Sequence, residues 1–497
     1  MKKVVSILMA VFLLTILFIS CNDNNAGKSD DTEKADETKQ IDDIAALFEK
    51  DNLPDNINFN GKTVTILYRE EEIKEFYMDQ QTGDIVEDAV YIANKNVEER
   101  LNIEIKTVTQ LGNLTADRIT FISTIVNSVL SGDDEFQIVA ALTYTMPELI
   151  QKNMIIDLLK VPNISFEKPW WVQALVDYGT IGDQMFLASG DVSLSLIKKT
   201  FCLYFNQNLL NNLQLASPYE MVYNKTWTFD NFKALMKGVY IDLNGDGAED
   251  FDDQYGFHTC DRNHMNLFIG AFDLQVTSKD EDGYPTLVFG NEKVVTAIQT
   301  LCDFFYNTEG VAFNNLSDAG NDLNKHTAIR NMFTSGRLLF VSAEFNNVEF
   351  YRDMNDVYGV LPLPKWDEKQ ADYYTLARNV YSSFAIPKTC RDLNMAGTVL
   401  EAIASENYRT LSPVYFEQAL KVKYSNDSDA AQMYDIIKNG LKFNFGYTYH
   451  LIVGITDHFT EAVHGNNPNW ASTFDAQRNA AEKRINDFVK LVIENKE

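Results

Sequence analysis

The stretch Asp242-Leu243-Asn244-Gly245-Asp246-Gly247-Ala248-Glu249-Asp250-Phe251-Asp252-Asp253 gathers oxygen donors at the spacing of a calcium loop. Side-chain oxygens of Asp242, Asn244, Asp246, Asp250 and Asp253 fall at loop positions 1, 3, 5, 9 and 12, and Ala248 offers its carbonyl at position 7. Gly247, at position 6, allows the sharp turn, and Asp253 stands where an EF-hand carries Glu. Six acidic residues this close repel one another unless a cation joins them, so the pattern predicts a structural Ca²⁺ site. The alternative is an acidic surface turn. Elsewhere, catalytic patterns are missing. The six histidines, at 258, 264, 326, 450, 458 and 464, form no His-Glu-x-x-His pair, and neither Gly-x-Ser-x-Gly nor a Gly-x-Gly-x-x-Gly behind a strand occurs. With 71 carboxylates, no pair stands out as a glycosidase acid and nucleophile. The expectation is a protein that is not an enzyme.

Cys21 has a different chemistry in view. Two lysines precede an uncharged apolar run from Val4 to Ile19, shorter than the ~20 residues of a membrane span and placed like a signal-peptide core. The run closes on Leu17-Phe18-Ile19-Ser20-Cys21, which looks like a bacterial lipobox. Residues 1–20 therefore read as a signal peptide. Cys21 would become the lipidated N-terminus, anchoring the chain to the outer face of the cell membrane. Residues 21–57 are largely polar and acidic, the composition of a solvated tether. The remaining cysteines, at 202, 260, 302 and 390, match no zinc spacing and read as buried thiols, with a disulfide outside the cell, its pairing not given by sequence, as the alternative.

These groups need elements to position them. The chain of 497 residues, 45% hydrophobic, is too long for one core and calls for two lobes. Its net charge of −28 excludes nucleic acid, or an anionic membrane bound through a basic patch, as a partner. Strands are expected at 61–68, 103–108 and 136–141 with helices at 84–100 and 116–130 between them, the alternation of an α/β fold with a mostly parallel sheet. A second series follows: strands at 200–205, 338–343, 358–363 and 382–386, and helices at 229–240, 393–405, 430–439 and 474–493.

Several further segments carry a family likeness. They are Gly132-Asp133-Asp134-Glu135-Phe136-Gln137-Ile138-Val139, Tyr204-Phe205-Asn206-Gln207-Asn208, Lys225-Thr226-Trp227-Thr228-Phe229, Asp253-Gln254-Tyr255-Gly256-Phe257, Phe333-Thr334-Ser335-Gly336-Arg337, Tyr358-Gly359-Val360-Leu361-Pro362 and Phe384-Ala385-Ile386-Pro387. Their order, behind a lipobox and tether, resembles the family 1 extracellular solute-binding lipoproteins of ABC importers, the oligosaccharide-binder type. The resemblance implies a two-lobed, periplasmic-binding-protein-like α/β fold (type II) with ligand in the cleft. It places chain crossings near 191–200, 376–383 and just after Tyr408, with residues 58–193 plus 384–410 as lobe 1 and 194–380 plus 411–497 as lobe 2. It also implies a monomer that captures a solute by hinge closure and delivers it to the membrane subunits of an ABC permease. A surface glycoside hydrolase and a ligand-sensing lipoprotein without transport are the alternatives.

Sugar sites combine aromatic faces with hydroxyl-pairing groups. Such mixtures fall at the ends of expected strands and at the implied crossings: Tyr68 and Arg69, Tyr144, Asp191, Glu344 and Phe345, Asn379 and Tyr381. Trp170, Trp171 and Trp470 are further candidates for stacking, whereas Trp227 reads as packing and Trp366 as a surface turn. The acidic balance favours a neutral or cationic ligand over an anionic one.

Overall fold

The computed structural model describes residues 48–259, 262–312, 322–423 and 428–496. Cys21, most of the tether and Cys260 lie outside them. Eleven strands are found among the described residues: β1 (Lys62–Arg69), β2 (Ile103–Gln110), β3 (Ile138–Leu142), β4 (Phe201–Asn206), β5 (Tyr255–His258), β6 (Thr277–Lys279), β7 (Pro285–Leu287), β8 (Val311–Ala312), β9 (Leu338–Glu344), β10 (Tyr358–Leu361) and β11 (Ser382–Ala385). They form a four-stranded sheet of order β11-β3-β1-β2, a five-stranded sheet of order β10-β4-β9-β5-β8, and the β6-β7 hairpin.

In the first sheet β1 runs parallel to β2, with Lys62 opposite Ile103 and Arg69 opposite Gln110, and parallel to β3 on its other side. Val64, Ile66, Leu67 and Tyr68 are all fully buried, as befits a central strand covered on both faces. The helix Ile85–Leu101 starts where the Asp84 carboxylate accepts from the amides of Val86 and Glu87, at 2.9 and 3.3 Å. One face of the sheet is closed by the much later helix Leu393–Arg409, whose Val399, Leu400 and Ile403 join Val64, Ile66 and Ile138 in one core. The core on the other face is continuous with that of the second sheet.

The second sheet is mixed. Strand β4 is antiparallel to both β9 and β10, whereas β5 is parallel to β9 and β8. The helix expected over 229–240 stops at Ala234 because the chain turns at Gly238, which adopts φ +72°. The helix Glu292–Asn307, capped by Asn291, is an element that the sequence reading did not include. Trp170, Trp171, Trp227 and Trp470 are all buried, and three of their indoles are spent inside the protein: Trp171 on Glu401 (3.0 Å), Trp227 on the Pro362 carbonyl (2.9 Å) and Trp470 on the Phe289 carbonyl (2.9 Å). None offers a stacking face. Cys202, Cys302 and Cys390 are buried. No helix among the described residues is long and apolar enough to cross a membrane.

The sheets are joined by two chain segments lying side by side. Ala188 bridges Phe384 on the first-sheet side, and Thr200 bridges Ala377 on the second. Between these bridges the Arg378 amide donates to the Lys199 carbonyl (2.8 Å) and the Ser382 amide to the Ser195 hydroxyl (2.8 Å), and just beyond the second bridge the Phe201 amide donates to the Leu376 carbonyl (3.0 Å). Gly190 enters this crossing at φ +151°, where an added Cβ would lie 2.1 Å from the Trp170 carbonyl oxygen; no side chain fits. A third passage continues the helix Leu393–Arg409 through Leu411–Pro413 into Val414–Lys423. The C-terminal helix Trp470–Glu494 also reaches back to the first lobe, where Gln184 donates to the Val492 carbonyl at 3.1 Å.

Candidate functional site

The carboxyl ends of β1, β3 and β9 converge on the paired crossings, and two groups of side chains meet there. The first is charged. Glu344, the last residue of β9, is buried; Arg378 donates to it at 3.1 Å, the His264 Nε2 lies at 3.4 Å and the Lys199 Nζ at 3.9 Å. Burial by itself would raise this carboxyl. The Arg378 guanidinium, the hydrogen bond from His264 and the Lys199 ammonium outweigh burial and hold it at about 2. The neighbouring Lys198 lies 3.4 Å from Glu75 of the first lobe and 3.6 Å from Glu349 of the second. Burial pushes the Glu75 carboxyl up, and Lys198 offsets only part of that. Consecutive lysines of one crossing thus engage carboxylates from both lobes.

The second group is aromatic. Tyr144, just past β3, lies with its ring 5.3 Å from that of His450, across the gap between lobes. Arg118 sits 5.1 Å over the same ring and donates to the Tyr144 hydroxyl. Asn379 joins both sides: its carbonyl accepts from the Tyr144 amide at 3.3 Å, its own amide donates to the Tyr447 hydroxyl at 3.2 Å, and its side chain donates to the Tyr447 carbonyl at 3.2 Å. The Tyr381 carbonyl accepts from the amide and the hydroxyl of Thr143, at 2.9 and 2.8 Å. A cleft of about 340 Å³, counted to its open mouth, runs along this crossing and is lined by Leu196, Leu376, Ala377, Tyr381, Asn444 and Tyr447, among others.

Of the residues expected from sequence, Tyr144, Glu344, Asn379 and Tyr381 are brought together here. The other four are placed differently. Tyr68 stacks on Phe76 at 4.9 Å inside the first lobe, with no exposed surface. Arg69 is buried beneath the site and staples β1 to the second crossing, donating to the Ser382 hydroxyl (2.8 Å) and the Val380 carbonyl (3.3 Å). Phe345 packs 5.1 Å from Tyr434 in the second core, and Asp191 accepts from the Ser412 hydroxyl, joining the first crossing to the third passage. Tyr68 falls on an interior face because β1 is covered on both sides, which cancels the alternation that would have pointed it outward, and Phe345, in the turn just past β9, is covered by Tyr434. Arg118, Lys198, His264, Tyr447 and His450 were not anticipated. The Lys198-Lys199 pair within an implied crossing and the run Tyr447-Thr448-Tyr449-His450 were the available signals.

The 242–253 loop lies apart from the cleft groups. Asp242 accepts from the amides of Gly245 and Gly247 at 2.7 and 2.9 Å, while buried Asp253 accepts from Leu243, Asp250 and the Tyr240 hydroxyl, at 3.1, 3.3 and 3.1 Å. The Asn244 amide links Asp246 and Asp250 at 3.1 and 3.4 Å. In this conformation the carboxylates are turned onto their own loop. Among the described residues, no group of three or more His, Cys, Asp or Glu is arranged to hold a metal ion.

No family model matches the chain, and no curated protein matches it. Solved structures do. The extracellular solute-binding protein from Staphylococcus aureus in complex with maltose aligns with TM-score 0.54 and 12% identity over 89% of this chain and 98% of that one. UspC of M. tuberculosis gives TM-score 0.54 and 14% identity over 85% and 100%. An ABC substrate-binding protein from Listeria monocytogenes, in complex with cycloalternan, gives 0.51 and 12% over 87% and 98%. The chain has the fold of the ABC-transporter solute-binding proteins. In this solute-binding fold the mixed α/β sheets are the two lobes, and the paired segments are the crossings between them.

Glu344 provides a direct check of the charged group. Its folded carboxyl titrates at about 2 against an ordinary value of 4.5, so its stabilisation is complete above pH ~4.5 and is lost as pH falls towards 2. Glu344→Gln leaves Arg378, Lys199 and His264 facing a neutral amide. The variant should lose about 3 kcal/mol of stability in urea unfolding at pH 7, and its deficit should shrink as pH drops from about 4.5 to 2.

Proposed function

We propose that this chain is a surface lipoprotein that captures an extracellular sugar, an oligosaccharide above all, between its lobes and delivers it to an ABC permease. The observation that carries the reading is the hinge: two antiparallel crossings side by side, flanked by polar and aromatic groups from both lobes. Such a hinge lets the lobes rotate as bodies, and a ligand that touches both favours the closed form. Two of the fold neighbours are described with maltose and with cycloalternan bound, which supports a carbohydrate for the same cleft. Binding without turnover fits the electrostatics. Glu344, the buried carboxylate at the crossing, is held ionised by Arg378, Lys199 and a hydrogen bond from His264, and has no proton to give at neutral pH.

The anchor in this proposal is a lipid on Cys21, with the residues up to 47 as the spacer from the membrane; the end of the expected tether belongs to the first lobe, where Asp51 pairs with Arg100 at 2.6 Å and Leu53 is buried. Ca²⁺ belongs to it as a structural ion. The Asp242, Asn244, Asp246, Asp250 and Asp253 side chains and the Ala248 carbonyl would exchange loop amides for the cation, pinning a loop that takes no part in ligand contact.

A neutral and acidic glycan panel tests capture. At about 100 times its Kd, the right oligosaccharide should raise Tm by about 5 °C and reduce the radius of gyration in solution scattering; no effect from any glycan would sink the reading. For the anchor, cells fed a labelled fatty acid should label the wild type and not Cys21→Ala, which should leave the membrane fraction. Calorimetric titration should detect one Ca²⁺ per chain in the wild type and none in Asp246→Ala, and a wild type that gives no heat removes the calcium proposal.

A further inference from the structure

Most of the basic residues described around the crossing have carboxylate partners. Lys198 has Glu75 and Glu349, Lys199 and Arg378 share Glu344, and His450 faces Asp457 at 3.3 Å. Arg118 has none. Its guanidinium is held by two neutral oxygens, the Tyr144 hydroxyl and the Thr115 hydroxyl at 3.2 Å, and by the π face of Tyr144. Asp117, the adjacent residue, forms no ion pair with it, and two further acids of the same lobe are otherwise engaged: Glu71 accepts from the amides of Gly112 and Asn113 at 2.9 to 3.1 Å, and Glu72 from the Asn113 side chain at 3.3 Å. Burial lowers the Arg118 pKa, and no acidic group counters it. Arginine stays charged all the same. In a chain with 71 acidic against 43 basic residues, a half-buried guanidinium without a counter-ion is unusual, and this one touches the tyrosine that meets the opposite lobe.

We propose that Arg118 is a specificity-determining residue that pairs with a carboxylate on the captured sugar, so that the preferred ligand is an acidic oligosaccharide built from uronic acids. The inference rests on the sugar-capture reading above. A planar guanidinium presents paired N–H donors that match a carboxylate in bidentate fashion, and Tyr144 fixes its orientation before the ligand arrives. His450, with its ring 5.3 Å from that of Tyr144, brings the second lobe to the same point, so an acid seated on Arg118 lies where closure is decided. The net charge of −28 opposes the approach of any anion at long range, but salt screens that repulsion beyond about 8 Å under physiological conditions, whereas the contact pair forms at hydrogen-bond distance. The preference expected from the whole-chain charge is thereby reversed by one local cation.

The test is titration calorimetry and thermal shift on the full mature chain, wild type beside Arg118→Gln and Arg118→Lys. The probes are oligogalacturonates, alginate oligosaccharides and glucuronate-bearing xylo-oligosaccharides, with maltotriose and xylotriose as neutral controls and inorganic phosphate and sulfate as plain anions. At least one acidic series should bind the wild type. Arg118→Gln should weaken that series at least about 30-fold, and Arg118→Lys should recover part of the loss. Neutral sugars binding better than every acidic series, or an acidic series binding wild type and Arg118→Gln alike, would overturn the assignment of Arg118 while leaving sugar capture standing. Phosphate or sulfate alone matching the uronates would overturn it as a mere anion contact. If no glycan of either kind binds, the capture reading itself falls, and this inference with it.

Discussion

Everything at the site depends on two strands of chain that cross between the lobes in contact with each other. The amides of Phe201, Arg378 and Ser382 are each satisfied within the crossing itself, by Leu376, Lys199 and Ser195. A crossing that meets its own hydrogen bonds can bend without exposing unpaired backbone, and this is what makes it a hinge and not a tear. It also forces Lys198, Lys199, Arg378 and Asn379 into one place, because they are the residues those hydrogen bonds leave pointing away from the paired backbones. The charged groups beside the cleft are thus gathered by the way the lobes are joined.

Charge is managed by the same arrangement. A buried carboxylate is costly unless it is paired, and Glu344 is paired with three groups drawn from three parts of the chain. Such a clamp favours one relative placement of β9 and the crossings, since losing any partner leaves charge in a dry place. Arg118 stands outside this economy. Its neighbours are the hydroxyls of Tyr144 and Thr115, so it keeps its full attraction for an acid from elsewhere.

Much of the architecture was legible in the residues. Strands such as β1 and β9, and helices such as Ile85–Leu101 and Thr115–Ser131, lie within a few residues of their expected positions because apolar period and end signals are local. Where expectation and structure part, the cause is usually long-range. Gly238 cut a helix short by its own backbone, but Trp470 and Phe345 are core residues because distant segments cover them: Phe289 in one case, Tyr434 and Phe416 in the other. A tryptophan before a helix looks the same in sequence whether its far face meets solvent, sugar or another ring. The loop at 242–253 is the reverse case, a pattern complete in sequence whose carboxylates are turned onto their own amides.

The sequence by itself therefore determined the α/β class, the need for more than one core, the residues at which strands end and the acidic character of the whole. Those follow from composition and from patterns within a dozen residues, where chain geometry alone decides which side chains share a face. Only the tertiary structure decided which strand ends meet. Tyr144 and His450 are 306 positions apart, and Glu344 finds Lys199 across 145. No local rule relates such pairs, because their proximity is created by the hydrogen-bonded crossing and by the packing of two sheets against it.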